Sequence, residues 1–288
     1  MDPKLNKILS RSVHTFEDSC EVTFKKLLSN FDHYYLAHLL GWFTLTFMLR
    51  NRLLVHSWAL LDELIELSWE HILPHLSECW WDHIIMDILL SNTVGIELAL
   101  FIIKRTGMHT YDWFGAKEAK SWRDWRVFNC HRTFGFIITF YALVSLRFLG
   151  MFFFMNSLLL PPPHFICVLR VIGWAFFSYL PFREIYEDIR TWNTPERKNN
   201  RVDGNYRWLG MGIVIMECGT SYKFRKGTRN MNEDAETSLR IIIPWIVTIV
   251  VTLSFYLYLR LKPDRTKKYI EVPTDPQSSK KNNKSKAH

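Results

Sequence analysis

Cysteine and glycine are scarce in this chain, and a leader is not visible. Five cysteines (Cys20, Cys79, Cys130, Cys167 and Cys218) are scattered through 288 residues without a Cys-x-x-Cys pair. That spacing offers neither a disulfide framework nor a zinc site. Glycine is no commoner than tryptophan, at twelve each. No apolar core follows an early basic stretch, so no cleavable signal peptide is expected. What the chain has instead is apolar: 48% of it is hydrophobic and 15% aromatic. A mean hydropathy of -0.04 would suit a soluble protein, but that average hides apolar blocks alternating with charged loops. Runs approaching ~20 apolar residues recur, and a soluble core has no need of them. The net charge of +8 is concentrated in loops and tail. Basic residues beside spans set orientation, which makes nucleic-acid binding the weaker reading.

The expected fold is therefore all-α, a polytopic transmembrane helical bundle of about seven spans. Residues 1–32 read as an amphipathic, lumenal N-terminal segment, 33–261 as the transmembrane domain and 262–288 as a disordered basic tail. The spans run about Tyr34–Leu49, Leu53–Leu73, Trp80–Ile103, within Phe134–Leu160, Phe165–Phe182, Trp208–Tyr222 and Ile241–Leu261. Placing the basic clusters Arg50–Arg52, Lys104–Arg132, Arg183–Arg207 and Lys262–Lys286 on one side agrees with the alternation of loops. By the positive-inside rule that side is cytosolic and takes the tail with it. The tail closes with Lys284-Ser-Lys-Ala-His288, whose lysine spacing fits a retrieval signal for the endoplasmic reticulum.

Two of these spans carry acids. The second holds Asp62, Glu63, Glu66 and Glu70; the third opens with Glu78, Asp82 and Asp87 and reaches Asn92. Acids at membrane depth are expensive, and they persist where they pair, bind a cation or line a polar cavity. Each helical residue turns by about 100°, so Glu63 and Glu66 project together, as do Glu78 and Asp82. Asp87 points nearly opposite, toward His83: either the helix is irregular there, or Asp87 serves another neighbour. Oxygen donors without thiols favour calcium, magnesium or manganese over zinc. A proton or ion relay, or pairing with Arg and Lys of another span, would use the same residues. His38 is one of eleven histidines, with a reference pKa suited to a general base.

Ala37-His-Leu-Leu-Gly-Trp42, Glu63-Leu-Ile-Glu66, His71-Ile-Leu-Pro74 and the block from Glu78 through Cys-Trp-Trp-Asp82 to Asn92 resemble the base-exchange phosphatidylserine synthases. Pro161-Pro-Pro-His-Phe165, Leu169-Arg170 and Arg183-Glu-Ile-Tyr186 are similar to the same family. The Trp-Trp-Asp-His and Arg-Glu-Ile-Tyr wording leans toward its ethanolamine-exchanging branch. The resemblance implies a calcium-dependent exchange in the endoplasmic reticulum membrane, in which L-serine replaces the head group of phosphatidylethanolamine or phosphatidylcholine. It implies His38 as the general base or acid, and Glu66, Asp82, Asp87 and Glu63 as ligands of Ca2+. Asn92, Glu78, Arg132 and Arg183 are the candidate substrate-binding residues. The partners expected are the donor phospholipid, serine and membrane lipid, with no nucleic acid and a homodimer left open. The family usually has about ten spans, of which the N-terminal three have no counterpart here. This chain also has His75 where the family has Asn, and Phe148-Leu-Gly-Met151 where it has Glu-Leu-Asn-Thr. A divergent homologue that binds lipid or a full-length synthase is the competing reading. A CDP-alcohol phosphatidyltransferase is disfavoured, because Asp203-Gly-Asn-Tyr-Arg207 lacks the Gly and Asp residues that complete that motif.

Overall fold

The computed structural model describes residues 20–31, 33–69, 79–117, 119–142, 145, 165–191, 206–224 and 235–262, which form helices and no strand. The helices are α1 (Phe24–Ser29), α2 (His33–Leu49), α3 (Arg52–Trp69), α4 (Asp82–Arg105), α5 (Arg126–Asn129), α6 (131–142), α7 (Phe165–Thr191), α8 (Arg207–Phe224) and α9 (Ala235–Leu261). α4 and the stretch Ile241–Leu261 of α9 are long and apolar enough to cross a membrane, and Tyr35–Leu49 is a shorter apolar helix. The 24 residues of α4 lie within the range of about 17–25 that a membrane-crossing helix needs. Helices occupy five of the seven expected spans in full, two of them long and apolar enough to cross a membrane; of the second, 53–69 is helix and 70–73 lies outside the described residues. Of the fourth, 134–142 and 145 are described as helix, and the remainder lies outside the described residues. α7 continues through Pro181 to Thr191, beyond the expected end at Phe182.

α2, α3 and α4 pack around an aromatic core at one end of the bundle. Leu49, Leu54, Val55 and Ile96 are fully buried there beside Trp58 and Trp113. Trp113 stacks on Phe140 with centroids 5.2 Å apart, and Tyr111 on Tyr186 at 4.2 Å. The loop after α4 closes this end. Its entry is a helix stop in which Gly107, at φ 67, takes the left-handed conformation while the Met108 amide returns to the Ile103 carbonyl at 3.0 Å. Further on, the Trp113 indole donates to the Leu49 carbonyl (2.8 Å), and the Tyr111 amide to that of Arg50 (3.1 Å). Asn51 serves both sides of the joint: its Oδ1 accepts from the Leu54 amide, capping α3, and its Nδ2 donates to the Tyr111 carbonyl. Burial pushes the Tyr111 hydroxyl above its usual range, against the pull of the Arg50 guanidinium, which lies 5.2 Å over the ring.

The same contacts sort the loops by end. Arg50 reaches the Tyr179 hydroxyl on α7, the Tyr186 hydroxyl accepts from the Asp112 amide, and Phe255 of α9 packs edge-on against Phe128 and Phe134. The described parts of the basic clusters, 50–52, 104–126 and 183–190, and the end of α9 therefore lie near one another at one end; 192–205 and 263–286 lie outside the described residues. At the opposite end Trp245 donates to Ser68 at 3.0 Å. There too a disulfide joins Cys20 to Cys79, with Cα atoms 5.5 Å apart and a sequence separation of 59. This corrects the expectation that the cysteines are unbridged. Only the return of the chain to the start of α4 makes the two neighbours, and spacing carries no trace of it.

Candidate active and metal site

The first half of α4 is not an α-helix. Asp82–Asn92 forms a π-helix eleven residues long, far longer than the single turn in which such geometry is usual, and frequent at functional sites. Bonding from i to i+5 widens each turn, so residues four and five apart come onto one face. His83, Asp87, Ser91 and Asn92 are buried together on that face. The helix is irregular here, and Asp87 is buried beside His83, a pairing an α register also gives; what the widened turn adds is Asn92 on the same face.

Glu63 of α3 meets this face. Its Oε2 lies 3.2 Å from His83 Nδ1, and its Oε1 accepts from Asn92 Nδ2 at 3.0 Å. Ser91 in turn donates to Asn92 Oδ1 at 3.0 Å, which fixes the amide so that its nitrogen faces Glu63. Glu63, His83 and Asp87 each offer a ligand atom within 4.8 Å of one another. Two buried carboxylates so close repel unless a positive charge or a proton intervenes. A protonated His83 supplies one such charge, and a divalent cation would supply another. The donors, two carboxylates and an imidazole nitrogen, suit a hard or borderline divalent ion.

Glycine lets α2 approach. A Cβ on Gly95 would stand 2.4 Å from the Leu39 carbonyl oxygen, so only glycine permits the backbones of α2 and α4 to meet there. The contact lies three residues beyond Asn92. It sets His38, adjacent to Leu39, at the level of the polar cluster. His38 is half-buried, and among the described residues no hydrogen bond joins it to the cluster.

The other expected site residues are distributed more widely. Glu66 lies three residues beyond Glu63 on α3 and is half-buried. Asp82 opens α4, where its Oδ2 accepts from Asn30 Nδ2 at 2.7 Å. Glu78 lies outside the described residues. Arg132 on α6 and Arg183 on α7 are exposed at the basic end, away from the cluster. Glu63 is eleven residues beyond Arg52 on α3, or about 16 Å from that end. Sequence reasoning passed over His83 as a donor, although its i,i+4 relation to Asp87 was the available signal. It also passed over Ser91 and Asn30; for Asn30, 52 residues from Asp82, no local pattern could have served.

Residues 1–225 match the family described as phosphatidyl serine synthase. Phosphatidylserine synthase 2 of Rattus norvegicus is 27% identical over 280 residues, covering 89% of this chain and 56% of that protein. CDP-diacylglycerol-serine O-phosphatidyltransferase 1 of Arabidopsis thaliana is 28% identical over 223 residues, covering 71% of this chain and 51% of that one. CDP-diacylglycerol-serine O-phosphatidyltransferase 2 of Oryza sativa subsp. japonica is 30% identical over 215 residues, with 68% and 50% covered. The chain spans about half the length of the curated relatives it matches. The matched residues include the whole of α2, α3 and α4, and with them every member of the Glu63 cluster. On that match the chain belongs to the phosphatidylserine synthase family.

Proposed function

We propose that the protein makes phosphatidylserine by base exchange, L-serine replacing the head group of phosphatidylethanolamine or phosphatidylcholine. The observation that carries this reading is the buried cluster of Glu63, His83, Asp87 and Asn92, in a chain of this family. A polar cluster between apolar helices destabilises the bundle unless it does something else, and divalent-ion binding is what these donors suit. Glu63 and Asp87 would hold the ion, Glu66 and Asp82 would extend the acidic surface, and Asn92 orients Glu63. A bound Ca2+ would offset the charge that grows on the phosphate oxygens.

His38 serves as general base and then general acid. It takes the proton of the serine hydroxyl as that oxygen bonds to phosphorus, and returns it to the alcohol oxygen whose bond to phosphorus breaks. One phosphodiester replaces another, so no nucleotide is consumed. The setting is the endoplasmic reticulum membrane, with the basic end in the cytosol. A disulfide at the other end supports this placement, since disulfides persist on the lumenal side.

The test incubates the full chain in vesicles of phosphatidylethanolamine or phosphatidylcholine with labelled serine, with and without calcium, beside vesicles containing CDP-diacylglycerol. Calcium-dependent labelling of lipid from the first two donors, abolished in His38→Ala and Asp87→Asn, upholds the proposal. Labelling that needs CDP-diacylglycerol overturns base exchange in favour of the reaction named for the plant relatives.

A further inference from the structure

The segment before α2 is tied to the start of α4 twice. Cys79, three residues before Asp82, is bridged to Cys20. Asn30 donates to the Asp82 carboxylate at 2.7 Å. The chain between these ties buries little apolar surface. Val22, Phe24, Leu28 and Phe31 are all exposed, Phe24 by 80%, and no residue of α1 is buried. Hydrophobic contact among the described residues therefore does little to dock this segment, and the amide-carboxylate hydrogen bond of Asn30, modest in net terms, is a tie that works against the entropy of a free chain. The disulfide removes that entropy by keeping Asn30 at high effective concentration beside Asp82. An asparagine amide fixes one carboxylate oxygen without supplying a charge, so it orients Asp82 and leaves the other oxygen for a cation.

We propose that the Cys20–Cys79 disulfide is a clamp that docks Asn30 onto Asp82, and that Asn30 is a positioning residue for the acidic site. This rests on the reading of Asp82 as part of a cation-binding surface. With the clamp open, Asn30 leaves, the Asp82 carboxylate loses that tie and the first turn of α4 loosens.

The test uses the full chain in detergent as wild type, Asn30→Ala, Cys20→Ser/Cys79→Ser, the triple variant, and Asn30→Gln, which keeps the amide. Amide hydrogen exchange over residues 80–87, measured without any metal, should quicken to the same degree in Asn30→Ala, the cysteine pair and the triple variant, and partly recover in Asn30→Gln. Terbium luminescence sensitised by tryptophan should give a half-saturation raised about three- to tenfold in the same three variants, the size of one such hydrogen bond. Wild type treated with a dithiol, which delivers two electrons and two protons to the bridge and is itself oxidised, should match the cysteine pair should that variant fold poorly. Unchanged exchange at 80–87, or effects that add in the triple variant, overturn the proposal. Quickened, non-additive exchange in the variants, together with a wild type that binds no terbium, upholds the clamp and overturns the cation reading instead.

Discussion

α3 passes through two different interiors. Its first half puts Leu54, Val55 and Trp58 into the aromatic core, and its second half puts Asp62 and Glu63 among buried polar groups. Trp58 and Glu63 are five residues apart, or about 7.5 Å along the axis. The aromatic half is held by ring stacking and by joints such as Trp113 on the Leu49 carbonyl, and each large ring there buries about 150–250 Å². The polar half gains much less, because bringing carboxylates out of water offsets what their partners return. The contrast assigns stability to one half and chemistry to the other, and substitutions can separate the two.

The largest effect belongs to the polar half. Asp87→Asn and Glu63→Gln keep shape and remove a charge. Activity should fall by more than the roughly 10- to 100-fold typical of residues that merely orient a ligand, while Asp87→Asn, which leaves the Glu63–His83 pair in place, should keep its melting temperature in detergent. A variant that lost stability and kept its activity would reverse the assignment. Trp58→Ala is the counterpart. Deleting a buried Trp should cost about 3–5 kcal/mol, read from chemical denaturation, with the activity of the folded fraction retained. Loss of activity in a fully folded Trp58→Ala protein would mean that the core does more than support.

The two halves also differed in how readable they were. The helices followed from apolar runs, and the acids at 63, 66, 82 and 87 from their presence inside such runs, because both signals are local. The grouping within the acids did not follow. An α-helical register puts Asp87 with His83 but Asn92 nearly opposite, and the wider turn of the π-helix over Asp82–Asn92 brings Asn92 onto the face that meets Glu63. The ties made by Cys20 and Asn30 close across 59 and 52 residues, which no periodicity reports.

Gly95 sharpens the comparison, because it sits where α2 crosses α4 between the two halves. Gly95→Ala places a Cβ against the Leu39 backbone and should cost about 1–3 kcal/mol as the helices part. The same separation would move His38 away from Glu63, so kcat should fall beyond what the loss of folded protein explains. Stability lost with unchanged kcat would leave the level of His38 without consequence for the chemistry.

The smallest expected effect lies at the far edge of the aromatic half. Arg50 adopts φ 47, a left-handed turn between α2 and α3, while its side chain donates to the carbonyls of Phe47 and His109 and to Tyr179. Arg50→Ala and Arg50→Gly lose those contacts equally and differ only in the backbone. A side chain costs ~1–2 kcal/mol in this conformation where glycine pays almost nothing, and part of that gain is returned by the freer unfolded chain. Arg50→Gly should therefore be the more stable of the two by about 1 kcal/mol in chemical denaturation. Equal stabilities would mean that the turn relaxes once the guanidinium is gone, so that the contacts of Arg50, rather than the path of the chain, set the joint between α2 and α3.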